Sequence, residues 1–181
     1  GKTVQVLAHL HRQHAEDQLT RPALIVAPTS VLPNWRAELA RFTPKLRVLE
    51  WTGSRRAGLL GQLAEVEVVL ISYPLLGRDI ETLSTRRWSA VVCDESQLIR
   101  NPATLAARAL RRLDAGQRLC LTGTPLENHL GELWAQYDFL LPGLLGGRAQ
   151  FNRLWRAPVE RRRDRDATRR LQRLLKPFLL R

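Results

Sequence analysis

The sequence has no methionine, two cysteines and, among its 29 basic residues, only three lysines. Two cysteines, Cys93 and Cys120, cannot build a disulfide framework. Both fall in apolar stretches that read as strands, so small buried thiols in a reducing, intracellular setting are expected. Long apolar runs are also missing. Stretches such as 23–27 and 68–71 fall far short of the roughly 20 residues that a spanning helix needs. No charged-then-apolar start leads to a small-residue cleavage site, so no signal peptide is expected. With glycine at position 1 and no methionine, the chain is expected to be a piece of a longer one.

What remains is ordinary for a globular domain: 181 residues, 44% hydrophobic and 25% charged. That composition excludes a wholly disordered or collagen-like chain. The length favours one domain, or one domain with an extension, able to bury roughly 70% of its unfolded surface. Charge is the exception. The 29 basic residues against 17 acids give a net charge of +12, and residues 151–181 carry +8 of it. Such an excess points to a polyanionic partner. The alternative is a solvated helix with its own ion pairs, since Arg162, Asp166 and Arg170 are spaced four apart.

The order of elements is alternating. Residues 2–15 read as a helix with Val6, Leu7 and Leu10 on one side. The run 23–27, bounded by Pro22 and Pro28, reads as a buried strand. Thr29 or Ser30 is the predicted cap of a helix to Phe42, with Pro33 in its first turn. Strands are predicted at 47–51, 66–72, 89–94 and 118–121, and helices at 54–64, 103–113 and 131–141. Residues 73–83 read as irregular or helical. Strands separated by helices imply an α/β fold, a mostly parallel sheet with helices on both faces. Composition shifts after Gly147, which predicts one domain over 1–147 and a basic helical extension over 148–181. Pro158 interrupts the extension, and Pro177 ends its helix, with 178–181 extended.

Three short blocks carry chemistry. Gly1-Lys2-Thr3 matches the last three positions of the phosphate-binding loop G-x-x-x-x-G-K-[ST]. In that loop backbone N–H groups cradle phosphates, the lysine reaches the outer ones, and the Thr hydroxyl binds Mg²⁺. Read alone, the triplet is also compatible with a chance chain start. The run from Val91 to Glu95 is an apolar strand that delivers two adjacent acids at its C-terminal end, where open α/β sheets bind ligands. Asp94 can hold Mg²⁺ there, and Glu95 can orient or deprotonate a water. Two surface acids are the bland alternative. Leu121-Thr122-Gly123-Thr124-Pro125 follows the next strand and could sense the same water or phosphate; Gly and Pro alone would also make it a turn.

Together these blocks resemble the SWI/SNF-type branch of the superfamily two ATPases. Asp94-Glu95-Ser96-Gln97, with Ile99, Arg100 and Asn101, is similar to its Asp-Glu-x-Gln/His motif. Residues 121–128 followed by Glu132-Leu133-Trp134 resemble its third motif, and Gly1-Lys2-Thr3-Val4-Gln5 the end of its first. Pro28-Thr29-Ser30 with Asn34, Trp35 and Glu38 resembles motif Ia, and Ile71-Ser72-Tyr73 resembles motif Ib. Pro177-Phe178-Leu179-Leu180-Arg181 is similar to the family's lead into a second lobe.

The resemblance implies the N-terminal RecA-like lobe of a DNA-dependent ATPase that translocates on double-stranded DNA, with ATP and Mg²⁺ as cofactors. Gly1, Lys2 and Thr3 would bind nucleotide, and Thr3 and Asp94 would hold Mg²⁺. Glu95 would activate the attacking water. Gln97, Thr122, Gly123 and Thr124 would couple nucleotide state to movement. Ser30, Ser72 and Tyr73 would contact DNA. The expected partners are duplex DNA, a second lobe of the same polypeptide, and a protein complex such as RNA polymerase, in a bacterial cytoplasm near the nucleoid. The fragment alone is expected to be nearly inactive. An RNA or restriction-type motor, and a non-catalytic DNA-binding module on the same fold, are the alternatives. His9, His11 and His14 crowd the first helix without a cysteine nearby. Trp35, Trp134 and Trp155 read as packing anchors.

Overall fold

The computed structural model describes residues 1–123 and 130–180. They divide into two compact units, Gly1–Thr124 and Pro125–Arg181.

The first unit is built on a five-stranded sheet, all of whose pairings are parallel. Its strands are β1 (Ala23–Ala27), β2 (Val48–Glu50), β3 (Val68–Ser72), β4 (Arg87–Cys93) and β5 (Asp114–Cys120). They lie in the order β2-β3-β1-β4-β5. Every residue of β1 and β3 is buried, as expected of central parallel strands covered on both faces. Alternation sorts them. Ala23, Ile25, Ala27, Val68, Leu70, Ala90 and Val92 face one side. There they meet Val6, Leu7 and Leu10 of helix α1 (Lys2–Ala15) and Trp35 and Leu39 of helix α2 (Leu32–Phe42). Leu24, Val26, Val69, Ile71 and Val91 turn the other way. On that side helix α3 (Tyr73–Leu83) packs against β1, β3 and helix α4 (Leu105–Arg112).

Local chemistry explains several departures from expectation. Neither Thr29 nor Ser30 caps α2. The N–H groups of Val31 and Leu32 both donate to the Pro28 carbonyl, at 2.9 and 3.3 Å, so the turn closes on backbone and both side chains stay exposed. The helix expected over 54–64 is a 3₁₀ segment, Arg56–Ala64, whose Gly58 and Gly61 weaken α-helix. Residues Tyr73–Leu83 are fully helical, with Pro74 in the first turn where its missing N–H costs least. Strand β5 begins four residues earlier than its apolar pattern, because Asp114 and its neighbours pair with β4 from Arg87 onward while remaining partly exposed. Gly116 eases its close approach to β4. A Cβ there would approach the Ser89 carbonyl oxygen to 3.0 Å.

The second unit holds helix α5 (Leu130–Leu140), helix α6 (Arg148–Phe151), a π-helical stretch (Asn152–Arg161) and helix α7 (Arg165–Leu175). The boundary expected after residue 147 therefore falls earlier. The reason is packing: Leu130, Leu133 and Tyr137 of α5 share a core with Phe151, Leu171 and Leu175. Pro158 lies inside the π-helical stretch, which continues rather than breaking there. Asp164 caps α7, accepting from the N–H groups of Asp166 and Ala167 at 2.8 and 2.9 Å. Residues Lys176–Phe178 form a short 3₁₀ turn before extended Leu179. Among the described residues no helix is long and apolar enough to cross a membrane.

Candidate active site

The sheet register gathers the motif residues along one edge. Ala27 is level with Ser72, Val26 with Cys93, and Cys93 with Cys120. The segments that follow these strands, carrying Ser30, Tyr73, Asp94 and Thr122, therefore leave the sheet at its C-terminal end. Three backbone hydrogen bonds continue the sheet past its last paired residues. The Asp94 N–H donates to the Val26 carbonyl at 2.8 Å, the Leu121 N–H to Cys93 at 2.8 Å, and the Ser96 N–H to Leu121 at 2.9 Å.

Glu95 then takes a left-handed conformation, with φ at +49°. A non-glycine residue there costs on the order of 1–3 kcal/mol and is found chiefly where a site needs it. Its consequence is a sharp turn into the short 3₁₀ segment Ser96–Ile99. Asp94 and Glu95 are half-buried. Each oxygen of the Asp94 carboxylate receives one donor: the Trp35 Nε1–H to Oδ2 at 2.8 Å, and the Glu95 backbone N–H to Oδ1 at 2.9 Å. The Tyr73 hydroxyl donates to the Asp94 backbone carbonyl at 2.6 Å. Burial pushes the Tyr73 phenol well above its ordinary range, so it stays a donor.

A second chain of bonds runs outward from Glu95. The Gln97 Nε2–H donates to Glu95 Oε2 at 2.5 Å, and the Thr122 hydroxyl donates to Gln97 Oε1 at 3.1 Å. The acid after β4 and the loop after β5 are thus joined through one amide. Lys2 stands beside the same loop: a Cβ added at Gly123 would lie 3.6 Å from its Nζ. Lys2 and Thr3 occupy the first turn of α1, whose N-cap, Gly1, makes no side-chain cap bond. Unsatisfied N–H groups and the helix dipole at such a start favour an anion.

Most site residues expected from sequence thus come together: Lys2, Gly123, Thr122, Gln97, Glu95 and Asp94. Thr124, and the similar block 125–128, lie outside the described residues. Ser30 is exposed beside its turn. Ser72 and Tyr73 differ from expectation. They are only 3% and 6% exposed, because they sit level with the buried end of β1 and at the first turn of α3. Their side chains do not offer a surface to DNA. Sequence reading missed the roles of Trp35 and Tyr73 as partners of Asp94. The signal available was position: each lies in the first turn of a helix that leaves the same sheet edge. His9 lies against β5, its Nε2 2.7 Å from Gln117 Oε1.

An all-parallel sheet that collects a lysine at a helix start, an Asp-Glu pair and a glycine-opened loop along its C-terminal edge is a RecA-like α/β lobe. The chain belongs to the SNF2-related domain family, which it matches over residues 1–181. It is 42% identical to the Bacillus subtilis protein YwqA, named as an ATP-dependent helicase/translocase, over 100% of this chain and 20% of that protein. It is 33% identical to the human chromatin-remodeling ATPase INO80, over 100% of this chain and 13% of the relative. Among solved structures it is similar to the Sulfolobus solfataricus SWI2/SNF2 ATPase core in complex with dsDNA. The TM-score is 0.92 at 37% identity, covering 100% of this chain and 37% of that one. The chain therefore spans about a fifth or less of the length of the curated relatives it matches.

Proposed function

We propose that this chain is the N-terminal nucleotide-binding lobe of an ATP-dependent motor that translocates on double-stranded DNA. The observation that carries the reading is the convergence of Lys2, Asp94, Glu95, Gln97 and Thr122 at one sheet edge, on a chain similar throughout to a core bound to dsDNA. Gly1, Lys2 and Thr3 bind the phosphates. Glu95 accepts a proton from a water whose oxygen bonds to the γ-phosphorus as the β–γ bridge breaks, and Gln97 holds the carboxylate in place.

Asp94 and Thr3 fit Mg²⁺. They are hard oxygen donors, and each Asp94 oxygen spends one lone pair on an N–H and keeps another. No group of three or more His, Cys, Asp or Glu among the described residues could hold a metal. Mg²⁺ does not require one, because it binds through one or two carboxylates, waters and substrate phosphates. When bound, it neutralises charge on the β- and γ-phosphates.

Exposed Ser30 contacts a DNA phosphate, which fixes register without reading sequence. Thr122, Gly123 and Thr124 couple nucleotide state to movement. A second lobe of the same polypeptide supplies an arginine finger, worth about 10³–10⁵ in rate in related enzymes, so the lobe alone is nearly inactive. The protein works at the nucleoid, with a complex such as RNA polymerase as a partner.

The test is ATP hydrolysis by the full polypeptide with no nucleic acid, single-stranded DNA, duplex DNA or RNA. Strong stimulation by duplex DNA is expected, and Glu95→Gln should lower turnover about 10²–10⁴-fold while leaving nucleotide bound. Stimulation by RNA alone would move the protein to a different motor class. No hydrolysis under any condition would make it a binding module.

A further inference from the structure

We propose that Trp35 and Tyr73 are positioning residues for Asp94, and that they tie the alignment of its carboxylate to the segments leaving β1 and β3. The inference rests on the functional reading above and concerns how duplex binding reaches the metal-holding acid.

A carboxylate rotates easily about its terminal bond, so one donor does not fix it. Asp94 has one donor on each oxygen. One is the N–H of its own neighbour, Glu95, and the other comes from a different element, the Trp35 indole on α2. Together they hold the plane of the carboxylate and leave one lone pair on each oxygen. Tyr73, from α3, holds the backbone carbonyl of the same residue. Both the side chain and the main chain of Asp94 are therefore held by helices that begin at the sheet edge.

Helix α2 is joined to the exposed turn that precedes it. Trp35 is 1% exposed and packs in the core between α1 and the sheet. Its backbone N–H donates to the Val31 carbonyl at 3.1 Å, and the Val31 N–H donates to Pro28 at 2.9 Å. Backbone hydrogen bonds therefore join the turn that spans Thr29 and Ser30 to the first turn of the helix that carries the indole. A duplex that contacts Ser30 would bear on this turn, and through it on the helix that carries the donor to Asp94 Oδ2. Tyr73 starts α3 one residue after β3 ends.

A buried tryptophan needs a partner for its N–H wherever it sits. Trp88 supplies the comparison: it is equally buried, and its Nε1–H donates to the Leu83 carbonyl at 3.2 Å, away from the acid pair. Trp35→Phe and Trp88→Phe remove the same ring volume and the same kind of donor. Tyr73→Phe removes only a hydroxyl.

The experiment uses the full polypeptide and two readouts. Mn²⁺ affinity of the complex with a non-hydrolysable ATP analogue is read by electron paramagnetic resonance, and ATP turnover is followed against Mg²⁺ with and without duplex DNA. Trp35→Phe should weaken Mn²⁺ binding about tenfold, as expected for loss of a charge-assisted hydrogen bond. It should also reduce the factor of stimulation by DNA. Tyr73→Phe should do the same by about threefold. Trp88→Phe should lower only the melting temperature. If Trp35→Phe and Trp88→Phe change metal affinity and stimulation alike, or not at all, Trp35 is packing alone and the inference fails by itself. If the wild type shows no DNA-stimulated turnover, it fails together with the functional reading.

Discussion

The Lys2 ammonium lies in van der Waals range of the space above Gly123: a Cβ built on that glycine would sit 3.6 Å from Nζ. The helix start proposed to bind phosphate and the loop after β5 therefore share one boundary. An added methyl fits at that distance, whereas a branched side chain extends about 1.5 Å further and crowds the space the ammonium occupies. Gly123→Ala should bind ATP within about twofold of wild type. Gly123→Val should bind it about tenfold more weakly, a loss of about 1.4 kcal/mol. Titration with a fluorescent ATP analogue separates the two, and equal affinities would show that Lys2 does not need the space.

Thr122 stands two hydrogen bonds from Glu95. Its hydroxyl donates to Gln97, which donates to Glu95. Thr122→Val keeps the shape and removes the donor, so the Gln97 amide loses one of its two anchors and holds Glu95 less firmly. Turnover at saturating ATP and DNA should fall about tenfold, less than the roughly 10²–10⁴ expected for removing the general base itself. The Kd for ATP should stay unchanged, because neither Thr122 nor Gln97 is placed on the phosphates. Thr122→Ser, which keeps a hydroxyl, should recover most of the rate. A Thr122→Val enzyme with normal turnover would remove this relay from the mechanism.

How much of this was legible depends on whether the cause was local. The strands of β1 and β3 announce themselves as apolar, β-branched runs between prolines or turn residues, because central parallel strands are buried on both faces. Strand β5 does so only from Arg118 onward; its first residues, Asp114 to Gln117, stay partly exposed and carry no apolar signal. The absent side-chain cap on α2 and the true extent of the second unit are tertiary facts. One depends on where the Pro28 carbonyl points, the other on Phe151 meeting α5 across intervening chain. At the site, Asp94, Glu95, Gln97, Thr122 and Lys2 could be read as residue types in motifs. The bond from Trp35 to Asp94 joins positions 59 apart, and no local pattern encodes it.

Away from the site, Asp79 holds a small buried corner together. It accepts from the Trp51 indole at 2.8 Å and from Arg56 Nη2 at 2.9 Å, linking α3 to the segment after β2. The Arg56 hydrogen bonds hold the Asp79 carboxyl below its ordinary range, with Trp51 adding to the effect. A carboxyl depressed on folding contributes stability that is fully present above its unfolded value, about 3.9, and lost as pH falls through the lower folded value. Asp79→Asn should therefore lower the melting temperature by a few degrees at neutral pH. The gap to wild type should close in acid, below about pH 3.9. A gap independent of pH would mean that the corner is held by shape rather than by charge.

The two cysteines test the sheet edge itself. They are level with one another on β4 and β5, yet Cys93 is fully buried while Cys120 is half-buried. Burial pushes the Cys93 thiol well above its usual range, with the hydrogen bond to Cys120 acting in the same direction. The thiolate is the reactive form, so Cys93 is disfavoured both by access and by ionisation. Brief alkylation of the native full polypeptide, followed by peptide mass spectrometry, should mark Cys120 first. Cys93 should react about 10³-fold more slowly or only after denaturant, since it needs β4 to open and core strands open with nearly the global free energy. Equal labelling of both would show that β5 separates readily from β4. The Gln97 link between Glu95 and Thr122 would then have no fixed frame on which to act.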